Sequence, residues 1–221
     1  LSIRRQRQMC IRDRHNKKFA LKENNLVHYI SNKDKFEDGK TYIPGAGYHT
    51  DHSNDVNPPK ATILHAKMLP SSGGDTQFVN MHLVYKALPT GLKNKIKNLE
   101  ALHVYQSSHS KRKLMSLRNM KNKQPEVTHP LVRIHPENKK TCLYINPIRI
   151  EKIINLSTKE TIDLLDELML YVRKPENEYR HKWKDGDFVI WDNRILMHKA
   201  NGDYNMDEDR YLYRIMIQNE L

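Results

Sequence analysis

Short apolar segments recur along this chain, and turns that contain Gly or Pro separate most of them. Segments of this length with alternating polarity indicate β-strands. One stretch alone has the spacing of a long amphipathic helix, from Thr158 to about Arg173, preceded by Ser157 with Glu160 in the capping-box position. Many short strands with one long helix are typical of closed or double-layered β folds. We therefore expect a mostly β fold, a barrel or jelly roll with helical insertions.

The positions of the individual elements follow from the same alternation and from the turn residues. We predict strands over 61–69, 128–135, 141–146, 179–184, 187–192 and 210–218. Two short helices are predicted over 79–88 and 91–99. The apolar face of the long helix is predicted to contain Ile162, Leu165, Leu168, Met169 and Val172. The strands over 128–135 and 141–146 are expected to pair across the turn between them.

The 221 residues carry a formal net charge of +12, which is typical of a nucleic-acid-binding protein when the charge covers one face. Here the excess is confined to two basic runs, 1–18 and 111–123, and the remaining residues are neutral overall. We expect 111–123 to be a solvated loop, and the alternative is a lid or surface that attracts anions. The apolar runs are much shorter than a transmembrane helix, so we expect no membrane partner.

The opening segment LSIRRQRQMCIRDR contains five arginines and has no apolar periodicity. It resembles translated adapter sequence more than a folded segment. We expect residues 1–18 to be non-native or disordered, the native N-terminal part to be missing, and residues 19–221 to form one domain. The two cysteines, Cys10 and Cys142, have no CxxC spacing, which favours a reducing, cytoplasmic location.

His49 and Asp51 are two residues apart in the segment Tyr48-His49-Thr50-Asp51. In an extended segment both side chains point to one face, and Thr50 points to the other. Two histidines and one carboxylate form the facial triad of non-haem Fe(II) oxygenases, which leaves three coordination positions open. Taken alone, a short polar pair at a strand end without a ligand role is the simpler interpretation.

Arg210 and Arg214 are four residues apart on the last predicted strand, so they are expected to share a face. A buried arginine needs an anion, and a guanidinium group binds a carboxylate through two hydrogen bonds. A dicarboxylate cosubstrate would supply that anion, whereas two exposed arginines at a sheet edge are the alternative. Thr76, which follows the turn at Gly73-Gly74, can donate a further hydrogen bond to the same anion.

Further motifs accompany these residues, and through the whole set the chain resembles the taurine dioxygenase / 2,4-dichlorophenoxyacetate dioxygenase (TauD/TfdA) family. The matching motifs lie between about residue 45 and residue 218 and follow the order of the family. They are His49-Thr50-Asp51, Gly73-Gly74-Asp75-Thr76, the stretches 128–136 and 143–146, Gly186-Asp187, Trp191-Asp192-Asn193-Arg194, His198, and Arg210 with Arg214.

The resemblance implies a double-stranded β-helix fold (jelly roll, cupin-like) and an Fe(II)- and 2-oxoglutarate-dependent dioxygenase that consumes O2. The Fe(II) ligands that it implies are His49, Asp51 and His198. It also implies that Thr76 and Arg210 hold the distal carboxylate of 2-oxoglutarate. Arg214 would lie near the acidic group of a small organic substrate, whose hydroxylation would release succinate and CO2.

Several other polar residues are expected to have structural or surface roles. The histidines in this group are His52, His65, His82, His103, His129, His135 and His181. Trp191 is expected in the core, and Asp192 and Asn193 in a turn before the His198 strand. Two functional alternatives remain, a non-catalytic metal-binding barrel or inactive fragment, and an oxygenase that acts on nucleic acid through the basic runs. A homo-oligomer is possible.

Overall fold

The structure is a computed structural model that describes residues 19–35, 39–110 and 126–218. The expectations for residues 1–18 and 111–123 concern positions outside these ranges. Strands predominate in the described residues, in agreement with the mostly β fold expected from the sequence. None of the helices in the described ranges has the length and apolar composition needed to cross a membrane.

The elements are short, and most strands have between three and eight residues. The strands are β1 His28–Ser31, β2 Ala61–Met68, β3 Thr76–Asn80, β4 Glu100–His103, β5 Val127–Pro130, β6 Val132–Ile134, β7 Thr141–Leu143, β8 Ile150–Ile153, β9 Glu178–His181, β10 Phe188–Asp192, β11 Leu196–Ala200 and β12 Tyr211–Ile217. The α-helices are α1 Met81–Ala87, α2 Thr90–Ile96 and α3 Thr158–Val172, and a 3-10 helix covers Pro175–Asn177.

Two antiparallel sheets carry the predicted site residues. One has the strand order β1-β12-β2-β10, and the other has the order β11-β3-β9. The alternation along β2 buries Thr62, Leu64 and Ala66. The register places Leu212 of β12 opposite Ala66, on the same face. The apolar members of this face pack in one cluster with Phe78 of β3, so the two sheets share a core.

The helices pack with β4, β7 and β8 around a second, larger apolar cluster. The predicted capping box of α3 is confirmed, because the Ser157 hydroxyl accepts from the Glu160 N–H at 3.3 Å and the Glu160 carboxylate accepts from the Ser157 N–H at 2.8 Å. The buried face of α3 consists of Thr161, Leu164, Leu165, Leu168, Met169 and Val172. Ile162, predicted for this face, is only partly buried, because Thr161 turns towards β8 and accepts a hydrogen bond from the Ile153 N–H.

Residues 128–135 do not form one strand, contrary to the prediction. Leu131 interrupts the strand, since its side chain is fully buried and its N–H donates to the Leu99 carbonyl at 2.9 Å. The segment is therefore divided between β5, which pairs with β4, and β6, which pairs with β7. The predicted pairing across the 136–140 turn is confirmed for β6 and β7.

Two histidines lie close together in the interior beside the segment that follows Asp51. His103 is fully buried, its Nδ1 is 2.9 Å from the Ser53 hydroxyl, and its ring centroid is 5.2 Å from that of His129. Burial lowers the pKa of His103 to about 3 and that of His129 to about 4, and the positive charge of Arg133 acts in the same direction. Both imidazoles are therefore neutral in the folded protein.

This burial makes stability depend on pH. The unfolded chain binds a proton at each histidine below about pH 6.5, whereas folded His103 stays neutral down to about pH 3. The stabilisation is therefore fully present above about pH 6.5 and is lost progressively as the pH falls from there towards the folded pKa. We expect the melting temperature of the chelator-treated protein to fall between about pH 7.5 and about pH 5.5, and His103 alone to account for about 1 kcal/mol of that loss. Thermal unfolding of His103→Gln should show a smaller fall; an equal fall would contradict the assignment.

Candidate metal centre

His49 and His198 are joined through their backbones. His198 lies on β11, and His49 pairs with it in an isolated antiparallel bridge. The His49 N–H donates to the His198 carbonyl at 2.9 Å, and the His198 N–H donates to the His49 carbonyl at 2.8 Å. This reciprocal pair places the two imidazole rings side by side, with centroids 4.2 Å apart.

Asp51 completes the trio that the sequence predicts. Its Oδ1 lies 3.8 Å from His49 Nε2 and 3.9 Å from His198 Nε2, and one ligand atom of each residue lies within 4.8 Å of the others. Thr50 points away, as expected, and its hydroxyl donates to the Asn193 carbonyl at 2.8 Å. The structure thus brings all three predicted ligands to one point.

The donor atoms are suited to a cation. His49 Nδ1 lies 2.7 Å from the Gly47 carbonyl, so it carries the proton and leaves a lone pair on Nε2. His198 makes no hydrogen bond to any described residue through its ring, and its Nδ1 is buried. Gly45 adopts a φ of +75°, and a Cβ there would lie 3.1 Å from His49 Cε1, so this glycine leaves room for the ring.

The protonation states also fit a metal. Burial lowers the pKa of His198 to about 3 and lowers that of His49 as well, so both rings are neutral at neutral pH. Burial alone would raise the pKa of Asp51, but its coupling to the two imidazoles, the Arg214 guanidinium and the hydrogen bond from Thr62 together lower it, so Asp51 carries the charge of the trio. Two neutral imidazoles and one carboxylate are the ligand states that bind Fe(II) in a facial triad. The residues present therefore fit the metal that the sequence implies.

A buried chain of hydrogen bonds holds the Asp51 carboxylate. The Thr62 hydroxyl donates to Asp51 Oδ2 at 2.6 Å, and Asn193 Nδ2 donates to the Thr62 hydroxyl at 2.8 Å. The Trp191 indole N–H donates in turn to Asn193 Oδ1 at 2.9 Å. Because Oδ2 is engaged, Oδ1 is the oxygen directed at the two imidazoles. Such outer partners fix the orientation of metal ligands.

Sequence reasoning missed part of this chain. Thr62 was not singled out, although a threonine on the buried face of an apolar strand needs a hydrogen-bond partner and could have drawn attention. Asn193 lies in a turn, as predicted, but its buried side chain also belongs to the hydrogen-bond chain described above, which was not expected. The turn role is confirmed for Asp192, whose Oδ1 accepts from the Arg194 N–H at 2.8 Å. Trp191 is buried in the core, as predicted.

Thr76 and Arg210 also come together as predicted. Arg210 is 3% exposed, and Thr76 is 2% exposed. Arg210 Nη2 lies 3.4 Å from the Thr76 hydroxyl, and Arg210 Nε donates to the Gly74 carbonyl at 2.9 Å. The Trp183 indole N–H donates to the same hydroxyl at 3.0 Å. Arg210 makes no ion pair with a described residue, so its buried charge has no anionic partner in this part of the chain.

The two glycines before Thr76 are required by close packing. Gly73 has a φ of +74°, and a Cβ there would lie 2.2 Å from the Asp203 carbonyl oxygen. A Cβ at Gly74 would lie 3.2 Å from Arg210 Cδ. The Asp203 carboxylate accepts from the Gly74 N–H at 3.0 Å. The turn therefore brings its own backbone against Arg210, and side chains would prevent this approach.

Arg214 lies on the inner face of the β1-β12-β2-β10 sheet. Its cross-strand neighbours are His28 on β1 and Leu64 on β2, both of which are buried. Arg210 lies one residue before β12, next to an irregularity in the register at Tyr211 and Leu212. The inward position of both arginines agrees with the predicted shared face, and Arg214 is close enough to the metal centre to affect the pKa of Asp51.

The family model and the similar proteins of known sequence point to the same family. The sequence model of the taurine catabolism dioxygenase TauD, TfdA family matches residues 8–216, which begins well before residue 45, where the recognised motifs begin. An α-ketoglutarate-dependent sulfonate dioxygenase of Saccharomyces cerevisiae is 35% identical over 177 residues, which are 79% of this chain and 42% of the relative. An α-ketoglutarate-dependent 2,4-dichlorophenoxyacetate dioxygenase of a Burkholderia species is 34% identical over 170 residues, with 76% and 56% covered.

Solved structures agree with the sequence relatives. A taurine dioxygenase from Burkholderia xenovorans is similar with a TM-score of 0.74 and 30% identity, over 91% of this chain and 67% of that one. The chain spans about half the length of the curated relatives it matches. With the family model matched over nearly the whole sequence and with relatives that are identical at about a third of the aligned residues, this chain belongs to the TauD/TfdA family of dioxygenases.

Proposed function

We propose that this chain is an Fe(II)- and 2-oxoglutarate-dependent dioxygenase that uses O2 to hydroxylate a small anionic organic substrate, with release of succinate and CO2. The observation that supports this most is the joint presence of the His49, Asp51 and His198 trio and of Arg210, which is buried beside Thr76 without an ion-pair partner among the described residues. A metal centre of this kind is compatible with many reactions. A buried cation in addition indicates a cosubstrate that chelates the metal through one end and carries a carboxylate at the other.

We also propose that the two sheets form the double-stranded β-helix that this family is expected to have. The shared core of the sheets and the bridge between His49 and His198 support this arrangement. On this reading residues 19–221 form a single catalytic domain. The low cysteine content of the chain supports a cytoplasmic location.

The metal would supply O2 activation for attack on a substrate C–H bond, at the expense of 2-oxoglutarate. The chain's own residues would set the position of the metal. The backbone pair between His49 and His198 fixes the two imidazoles, and the Thr62 hydroxyl fixes the Asp51 carboxylate. Buried side chains around the trio, among them Phe78 and Trp191, exclude water from one side of the centre.

Arg210 and Thr76 would hold the distal carboxylate of 2-oxoglutarate. The Thr76 hydroxyl already accepts from the Trp183 indole at 3.0 Å and lies within reach of Arg210 Nη2 at 3.4 Å. Because its acceptor sites are used, its own proton is free to be donated to an incoming carboxylate. The pair thus offers a guanidinium and a hydroxyl donor in a buried place, where charge-assisted hydrogen bonds are strong.

Arg214 would attract the acidic group of the substrate. Its inward position near the metal centre supports this role, and relatives in the family are named for sulfonates and for 2,4-dichlorophenoxyacetate, which are anions at neutral pH. We therefore infer that the substrate of this chain carries a sulfonate, a sulfate ester or a carboxylate.

The metal assignment is tested by Asp51→Ala. Removal of the only carboxylate of the trio should weaken Mn(II) binding, measured by calorimetry, and abolish succinate release in an aerobic assay with Fe(II) and 2-oxoglutarate. Asp163→Ala changes an exposed carboxylate on α3 and should leave both unchanged. Full succinate release by Asp51→Ala would reject the ligand assignment. Wild-type protein that binds Mn(II) but releases no succinate with any sulfonate, sulfate ester or carboxylate would instead indicate a non-catalytic barrel.

The cosubstrate assignment is tested by Arg210→Ala. Loss of a charge-assisted hydrogen-bond pair should raise the KM for 2-oxoglutarate by about ten- to a hundredfold, and Arg210→Lys should recover only part of this because an ammonium group cannot form the fork. Lys152→Ala removes an exposed cation and serves as the control. Equal KM values in Arg210→Ala and Lys152→Ala would exclude Arg210 from the carboxylate site.

The role of Thr62 is tested by Thr62→Val, which removes the hydroxyl and nearly keeps the volume. Since an outer partner of a metal ligand typically contributes about ten- to a hundredfold in affinity, the Kd for Mn(II) should rise by that factor. Thr62→Ser retains the hydroxyl and should bind Mn(II) nearly as the wild type does. If the serine and valine variants bind alike, the hydrogen bond to Asp51 has no part in metal binding.

A further inference from the structure

Arg149 lies between β7 and β8 and is tied to the metal-binding segment through its neighbours. Its N–H donates to the Asn146 carbonyl at 3.0 Å, and its carbonyl accepts from the Val104 N–H at 2.8 Å. The Asn146 side chain in turn donates at 2.9 Å to the carbonyl of Thr50, the residue between His49 and Asp51. The backbone of Arg149 is therefore held at a fixed position relative to the metal centre.

The Arg149 side chain is buried but has no anionic partner among the described residues. It is 9% exposed, and its Nη1 donates to Asn54 Oδ1 at 2.6 Å and to the Tyr105 carbonyl at 2.9 Å. Both acceptors are neutral. The Nε and Nη2 groups make no hydrogen bond to a described residue, and no carboxylate in those ranges forms an ion pair with this guanidinium. The Nε and Nη2 donors of this guanidinium are thus left for a ligand.

This arrangement is unfavourable without an anion. Burial lowers the pKa of Arg149, against the opposing effects of Tyr105, Asp51 and Asp55, yet guanidinium groups in proteins stay charged. A buried charge without a counter-ion is costly, and an anion that accepts two parallel hydrogen bonds is the partner that a guanidinium binds best. The same reasoning applies to Arg210, for which the cosubstrate supplies the carboxylate.

Arg149 and Arg214 act electrostatically on the same two groups, His49 and Tyr105. Both positive charges contribute, after burial, to the lowered pKa of His49. Both also oppose the rise that burial causes in the pKa of Tyr105, whose ring centroid lies 5.1 Å from the Arg149 guanidinium carbon. Arg149 contacts Asn54, three residues after Asp51, and Arg214 pairs with Leu64, two residues along β2 from the Thr62 that holds Asp51. Both cations therefore lie on elements that adjoin the metal-binding segment.

We propose that Arg149 is a second anion-binding residue of the substrate site and, together with Arg214, receives the terminal oxygens of the substrate's sulfonate, sulfate or carboxylate group. This proposal rests on the proposed function and names the residue that recognises the substrate. An oxyanion between the two guanidinium groups satisfies the Nε and Nη2 donors of Arg149.

The alternative is that Arg149 only fastens the segment after Asp51 to the strand end at Tyr105. Two variants separate these roles, because Asn54→Ala removes the fastening and keeps the guanidinium charge, whereas Arg149→Gln removes the charge. Calorimetry on protein saturated with Mn(II) and 2-oxoglutarate measures the binding of butanesulfonate, of pentanoate and of neutral butanol. The two anions distinguish a sulfonate from a carboxylate site, and butanol measures the contribution of the alkyl chain.

We expect Arg149→Gln to raise the Kd of the preferred anion by about ten- to a hundredfold and to leave butanol binding unchanged. Asn54→Ala should stay within about threefold of the wild type, and Arg149→Lys should be intermediate. If Arg149→Gln does not fold, the loss of anion binding in Arg149→Lys is compared with that in Asn54→Ala. A larger loss in Asn54→Ala than in Arg149→Lys is expected only if Arg149 merely fastens the segment, and this result would overturn the proposal. Anion binding equal to the wild type in Arg149→Gln overturns the proposal, and so does a loss of anion binding in Asn54→Ala as large as that in Arg149→Gln.

Succinate release in the same preparations tests the proposed function separately, since a protein can bind the anion through Arg149 without turning over.

Discussion

The reciprocal backbone hydrogen bonds between His49 and His198 are the constraint on which the site depends. They join a segment near the start of the described chain to β11 near its end, so the metal centre forms only when both have reached their places in the fold. Side-chain torsions alone then remain to aim the imidazoles, and the Gly47 carbonyl and Gly45 limit those of His49. With backbone and ring both fixed, little reorganisation is needed when a cation binds.

A second constraint concerns buried charge, because two buried arginines have no oppositely charged partner among the described residues. Arg210 and Arg149 are each more than nine-tenths buried, and neither forms an ion pair with a described residue. Elsewhere the chain pairs its charges conventionally, as in the contact of Arg180 with Asp75 and Asp203. Within the described residues, Arg149 and Arg210 are thus buried cations without an ion pair. Under the proposed function, anionic molecules that enter from solvent would complete this balance, and their negative charge would be the property that the site selects.

Much of the fold and the metal trio could be predicted from sequence because their signals are local or sharply spaced. The capping box at Ser157 and Glu160, the strand over 61–69 and the HxD spacing each need only a few residues to be recognised. The division at Leu131 could not be predicted, because it depends on the distant Leu99 carbonyl that competes for the Leu131 N–H. Thr62 was missed for a similar reason, since only the folded sheet brings it to Asp51. Arg149 has no sequence signal of its own, and its burial appears only once Asn54 and Tyr105 surround it.

The hydrogen-bond partners of the two tryptophans have a consequence for how the protein can be studied. The chain contains only two of these residues. The Trp191 ring centroid lies 4.6 Å from that of His198, and its N–H begins the hydrogen-bond chain to Asp51. Trp183 donates to Thr76, which lies beside Arg210. Each half of the site thus has its own fluorophore. Emission from the two indoles of the unmodified chain would therefore respond to occupancy of either half, without a label and without turnover.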